Sequence, residues 1–135
     1  MDGIDAKIVS ILRENARVNF VDIAKTLNVT EGTIRNRVAK LLRERVITRF
    51  TIETNSTSAS AFIQIQTDAQ SDTFKTCELL GKIQGVERIW ELAGEYDAIC
   101  KVNSMNLENL NLIVEKIRQT KGVTQTKTLA ILKNH

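Results

Sequence analysis

Leu27-Asn28-Val29-Thr30-Glu31-Gly32-Thr33-Ile34-Arg35-Asn36-Arg37-Val38 ends one helix, turns within two residues and starts another. Thr30 is of a helix-capping type, and Ile34, Val38, Leu41 and Leu42 follow at the spacing of one helical face. Upstream, Val21, Ile23, Ala24 and Leu27 are the apolar positions of a helix that begins after Asn19. Before it, Ile4, Ile8, Ile11 and Leu12 mark a first helix that ends at Asn15. Asp2 is placed to cap that helix, with Asp5 three residues on as the capping-box acid. None of the three can bury its apolar face alone, but three crossed together can. Two helices joined so tightly form a helix-turn-helix, whose second helix enters the DNA major groove with its N-terminal residues against base edges.

With Ile34, Val38 and Leu41 inward, the residues expected to face DNA are Gly32, Thr33, Arg35, Asn36, Arg37 and Lys40. Arginine offers a planar fork to guanine and asparagine a donor–acceptor pair to adenine. Lys40, Arg43 and Arg49 suit phosphate contacts, which fix position without reading sequence. Gly32 lets the backbone come close. Glu31 is able to accept from cytosine or to favour the helix N-terminus.

Charge agrees with this placement. The 135 residues carry a net +3. Residues 1–50 hold ten Lys/Arg against six Asp/Glu, and residues 51–135 hold nine against ten. The basic excess therefore lies wholly in the first third, as in a DNA-binding head on a near-neutral body. No apolar run is long enough to span a bilayer, and the N-terminus lacks the pattern of a signal peptide, so a cytoplasmic location is expected. Cys77 and Cys100 stand in no metal-ligand spacing and are read as buried, reduced side chains. No metal, cofactor or catalytic residue is expected.

Past the helices the period changes. Val46-Ile47-Thr48-Arg49-Phe50-Thr51-Ile52 alternates and is β-branched, so a strand is expected there. Thr54 to Ser60 is small and polar and reads as a boundary. Then come a strand over 61–67 and a helix over 72–83 with Phe74, Cys77, Leu80 and Ile83 inward. Strands over 86–93 and 97–102 flank the turn Gly94-Glu95-Tyr96, and a helix over 107–121 precedes a strand over 123–132. Helix, glycine and β-branched strand recur at Gly85-Val86 and Gly122-Val123. Two such halves predict an α+β ferredoxin-like (βαββαβ) domain. One sheet face is left bare, and a second copy of the same sheet is its obvious cover, so a homodimer is expected. The division is an all-α helix-turn-helix domain over 1–45, a strand and linker over 46–60, and the ferredoxin-like domain over 61–135.

The order and spacing of these segments resemble the Lrp/AsnC, or feast/famine, family of bacterial and archaeal regulators. The likeness rests on Ile4-Asp5, Leu12, Asn15-Ala16-Arg17, Ile23-Ala24, the run from Leu27 to Val38, and Val46-Ile47. In the second part it rests on Gly94-Glu95-Tyr96-Asp97, which matches a Gly-x-x-Asp hairpin, and on the two Gly-Val turns. The resemblance implies a homodimer built on the C-terminal domains, often assembling further into octamers or discs. It also implies amino-acid or related effectors bound near the hairpin, at Gly94 and Asp97 with Glu95 and Tyr96 close by. Two positions depart from the family pattern. Arg45 stands where a glycine is usual before the Val-Ile pair, and Ser58-Ala59-Ser60 replaces a typical Leu-Gly.

Around the hairpin, Glu91 and Glu95 are acidic and Trp90 offers an apolar wall, which would complement a ligand with a second cationic group such as lysine or arginine. Alternation along a strand sends Trp90 and Glu91 to opposite faces. Two other functions fit parts of the chain. A DNA-compacting protein without an effector would use the same basic head. A haem-processing decarboxylase resembles the same two-domain arrangement, but such chemistry leans on histidine, and the single histidine here is His135.

Overall fold

A computed structural model of the chain describes residues 1–54 and 58–135, and Asn55, Ser56 and Thr57 of the expected linker lie outside the described residues. The chain forms two compact units, Met1–Thr54 and Asn55–His135.

The first unit contains α1 (Gly3–Glu14), α2 (Phe20–Leu27) and α3 (Glu31–Arg43). Each begins at the expected cap. The Asp2 carboxylate accepts the Ile4 and Asp5 N–H groups at 2.9 Å, and the Asp5 carboxylate accepts the Asp2 N–H at 3.1 Å, completing the capping box. Asn19 Oδ1 accepts the Asp22 N–H at 2.8 Å, and Thr30 Oγ1 accepts the Thr33 N–H at 3.2 Å. Ile8, Leu12, Ile23, Ala24, Ile34, Val38 and Leu41 form the core. Val21 and Leu42, read as inward, are exposed. Leu42 follows Leu41 by one residue, and a helix turns its successive side chains through about 100°, so a stripe wide enough for Val38 and Leu41 does not hold Leu42.

Both α2 and α3 end in the left-handed conformation on a residue that is not glycine. Asn28 has φ 54 and Arg45 has φ 56. After α3, the Arg45 N–H donates to Leu42 O at 3.1 Å and the Val46 N–H to Leu41 O at 2.9 Å, which is the Schellman pattern. The same pair of bonds closes α2, from Asn28 to Lys25 and from Val29 to Ala24. The expected strand over Val46–Ile52 is not formed. The Val46 and Ile47 N–H groups are both committed to Leu41 O, and the residues after them have no ladder partner among the described residues. β-branched alternation favours a strand only where a second strand supplies the other half of the ladder.

The second unit runs β1 (Ala59–Thr67), α4 (Thr73–Gly81), β2 (Val86–Glu91), β3 (Ala98–Ser104), α5 (Leu107–Arg118) and β4 (Val123–Ala130). The sheet order is β2-β3-β1-β4, antiparallel throughout, which is the ferredoxin-like topology. β1 starts two residues before the expected strand, with Ala59 opposite Ser104. Ala61, Ile63, Ile65, Ala98, Cys100 and Val102 face α4 and α5 and pack on Leu80, Leu110, Ile113, Val114 and Ile117. Phe74, expected inward, is exposed, and Thr76 takes the buried place on α4. The Thr76 hydroxyl is satisfied there by the Asp72 and Lys121 carbonyls.

The two helix-to-strand glycines have positive φ, 101 at Gly85 and 96 at Gly122. A Cβ on Gly85 would lie 2.4 Å from Ile113 Cδ1 of α5, and one on Gly122 would lie 2.4 Å from Thr76 Oγ1 of α4. Each half of the fold thus presses its helix against the turn of the other. On the opposite face of the sheet, Phe62, Gln64, Trp90, Ile99, Lys101 and Leu129 are half-buried or exposed.

Candidate functional site

On a 3.6-residue period, Gly32, Asn36, Ala39, Lys40 and Arg43 lie opposite the buried stripe of α3, and all five are exposed. A Cβ on Gly32 would have only Thr30 Oγ1 near it, at 4.0 Å. The fold itself therefore does not require glycine there, although glycine inside a helix costs up to about 1 kcal/mol against alanine. The Thr33 hydroxyl lies 2.8 Å from that of Thr30, so it is used in the cap. Lys40 stands 3.9 Å from Glu44, a loose exposed pair that leaves its ammonium available.

The two arginines on the flanks of α3 differ. The Arg37 guanidinium donates to Asp2 at 2.6 Å and to Asp5 at 2.9 Å, tying α3 to the capped end of α1. Asp5 is 2% exposed, a buried carboxylate matched by this cation. Arg37, followed by the Asp5 N–H, holds the Asp2 carboxyl down to about 2. Arg37 and the Asp2 N–H lower Asp5 likewise, and the two carboxylates raise Arg37. Arg37, expected to face DNA, is engaged in the structure by both acids and braces α3 against α1. Asp2 and Asp5 also form the capping box of α1, so their second role toward Arg37 does not show in the local sequence. Arg35 pairs with Glu31 one turn back, lies 5.5 Å from the Phe20 ring of α2, and remains largely exposed.

In the second unit an open hollow of about 370 Å³ lies at the β2–β3 connection, lined by Gln64, Leu92, Ala93, Gly94, Glu95, Tyr96 and Lys127. Of the expected effector residues, Gly94, Glu95 and Tyr96 line it, whereas Trp90, Glu91 and Asp97 do not. Trp90 pairs with Ile99 on the open face of the sheet, with Arg88 stacked 5.2 Å over its ring. Glu91 pairs with Ala98 and points to the helical side, where its charge adds to burial in raising the Cys77 thiol pKa. Asp97 is used in the framework: its carboxylate accepts the Thr67 N–H at 2.8 Å, its N–H donates to Ile65 O at 3.0 Å, and its carbonyl accepts the Leu92 N–H at 2.9 Å. Those bonds fix the hairpin to β1.

Gln64 and Lys127 were missed. They are directly paired across β1 and β4, 63 residues apart in sequence, and nothing local to the hairpin announces them. Lys127 adds a cation to the lining, so the hollow carries one ammonium-bearing and one carboxylate-bearing residue. Cys100 is buried and its thiol is pushed up to about 12 by that burial, the neighbouring Cys77 adding to it. Among the described residues no cluster of metal-ligating side chains occurs, and no helix is long and apolar enough to cross a membrane.

Comparison with known proteins matches both units. Residues 1–42 fit the AsnC-type helix-turn-helix domain, and residues 60–135 fit the Lrp/AsnC ligand binding domain. The HTH-type transcriptional regulator LysM of Saccharolobus solfataricus is 37% identical over 134 residues, covering 98% of this chain and 94% of its own. That of Sulfurisphaera tokodaii is 36% identical, covering 98% and 96%. The solved structure of E. coli AsnC superimposes with a TM-score of 0.73 at 26% identity, covering 99% of this chain and 93% of that one. A capped helix pair under a basic face, joined in one chain to a ferredoxin-like ligand-binding fold, places this chain in the Lrp/AsnC family of transcriptional regulators, which are DNA-binding proteins and not enzymes.

Proposed function

We propose that the chain binds double-stranded DNA as a homodimer through α3, and that an amino acid held in the hairpin hollow changes its hold on DNA. Gly32, Asn36, Lys40 and Arg43 are the contacts at the centre of the presented face, with Arg35 at its flank. The open sheet face, with Phe62, Trp90, Ile99 and Leu129, is the surface that a second copy covers. The observation that carries the effector reading is the presence of both Glu95 and Lys127 in the lining of one hollow of about 370 Å³. That volume suits a small ligand. A lysine ammonium fits the α-carboxylate of an amino acid and a glutamate fits its α-ammonium. With both charges engaged, the side chain of the ligand meets Leu92, Ala93 and Tyr96, so a second cationic group is not required.

The test is the unfolding midpoint of the protein against a panel of amino acids. A ligand that binds only the folded form stabilises by RT ln(1 + [L]/Kd), about 2.7 kcal/mol at a hundredfold excess over Kd. A rise with one or a few amino acids, lost in Lys127→Ala, supports the site. No rise with any amino acid at millimolar concentration removes the amino-acid effector and points to a different metabolite or to a DNA-binding protein with no effector.

A further inference from the structure

We propose that Glu31 is a specificity-determining residue of the DNA-facing helix: together with Phe20 it holds the Arg35 guanidinium so that this charge is spent on a base edge rather than on a phosphate. The inference rests on the reading of α3 as the DNA-facing helix.

A carboxylate on the first turn of a helix that approaches a polyanion costs binding energy, and its presence needs a cause. Capping does not supply one, because Thr30 already accepts the Thr33 N–H. Stability supplies a modest part, since an exposed i,i+4 ion pair contributes about 0.3–0.5 kcal/mol and an acid on the first helical turn about 0.3–1 kcal/mol. What the arrangement does supply is restraint. Arg35 is gripped by Glu31 from its own helix and stacked over the Phe20 ring from α2, yet its side chain stays 64% exposed. A free arginine at such a flank would fall onto the nearest phosphate, a contact blind to sequence. To make that contact here, Arg35 must leave Glu31, which would then face the DNA backbone as an unpaired acid.

A guanine edge is different. N7 and O6 accept the planar fork while the carboxylate remains beside it, and Glu31 is also a suitable acceptor for a cytosine amino group. The penalty therefore falls on phosphate contact and spares base contact. Arg37 offers the contrast within one helix, since its Nη1 is held by Asp2 and Asp5, which lie at the start of α1 rather than on α3.

The experiment compares the full-length protein with Glu31→Gln on two duplexes over a salt series. One is a 40-bp duplex of random sequence, and the other is the tightest duplex that the unaltered protein recovers from a randomised pool. The exposed pair is not needed for folding, which circular dichroism of the variant checks. Glu31→Gln should bind the random duplex more tightly, with a salt slope steeper by about 0.9 for each DNA-binding head, because Arg35 gains a phosphate. Its ratio of specific to random affinity should fall about tenfold. In an Arg35→Ala background the same substitution should alter neither slope nor ratio. A steeper slope or a lowered ratio that persists without Arg35, or an unchanged slope with Arg35 present, overturns the proposal by reducing Glu31 to general charge. Failure of the unaltered protein to bind either duplex would overturn the DNA reading itself, and this inference with it.

Discussion

Replacing Arg45 by glycine should make the first unit more stable, although the change deletes a charged side chain. Arg45 occupies the left-handed region at φ 56, immediately after the end of α3. That conformation costs an L-residue about 1–2 kcal/mol because Cβ crowds the following carbonyl oxygen. Glycine removes the crowding but frees the unfolded chain, which returns about 0.4–1 kcal/mol. The net expectation is a gain of about 0.5–1 kcal/mol. Among the described residues Arg45 has no ion pair to lose. For a unit of this size, 1 kcal/mol moves the midpoint by about 4–8 °C. Thermal and urea unfolding, followed by the helical circular dichroism signal, would measure the change. Arg45→Ala is the necessary partner, since it removes the same side chain and keeps the strain. Glycine should exceed alanine by about 1 kcal/mol. If the two variants unfold together, the left-handed turn is not a source of strain and the reasoning is wrong.

Two further outcomes follow from the titrating groups. Arg37→Gln leaves the buried Asp5 carboxylate without its cation, so the first unit should be weaker at neutral pH. Because Asp2 is held near 2 and Asp5 is also lowered, their stabilisation is complete above the unfolded carboxyl pKa of about 4 and fades as pH falls toward 2. Urea midpoints from pH 7 to pH 2 should therefore drop less steeply in Arg37→Gln than in the unaltered protein, and identical acid limbs would remove the brace. Alkylation at pH 8 should be slow at Cys77 and slowest at Cys100, whose thiol lies near 12, and fast at both in urea. Equal rates in native and denatured protein would contradict the burial of Cys100.

The parts of the fold that were legible in the sequence are those set by neighbours a few residues away. Asp2, Asn19 and Thr30 each accept the N–H of a residue two or three positions on, so helix starts could be placed to the residue. Both helix-to-strand glycines were legible for the same reason. Errors arose where a local pattern depends on a distant partner. Val46–Ile52 has the composition of a strand and, among the described residues, no strand beside it, while Phe74 keeps helical spacing but sits on the outer side of α4. Arg37 shows the reverse case, an outward-looking cation claimed by acids 35 and 32 residues away. The hairpin of the candidate effector site was visible as Gly94-Glu95-Tyr96, but the charge balance of the hollow was not. Lys127 enters it only through the register of β4 on β1.

The crossed contacts of Gly85 and Gly122 bear on how this fold can change over generations. Ile113 of the second half sits where a side chain at Gly85 would go, and Thr76 of the first half does the same at Gly122. An arrangement that resembles a doubled ancestor is thus locked in both directions. Enlarging either turn is felt in the opposite helix, and trimming either helix leaves a gap under the opposite turn. Neither half keeps the freedom of a separable module, so inherited variation in one must be answered in the other. The loop at Leu92–Tyr96 lies outside this interlock, so the lining of the hollow is free to drift while the framework stays constrained.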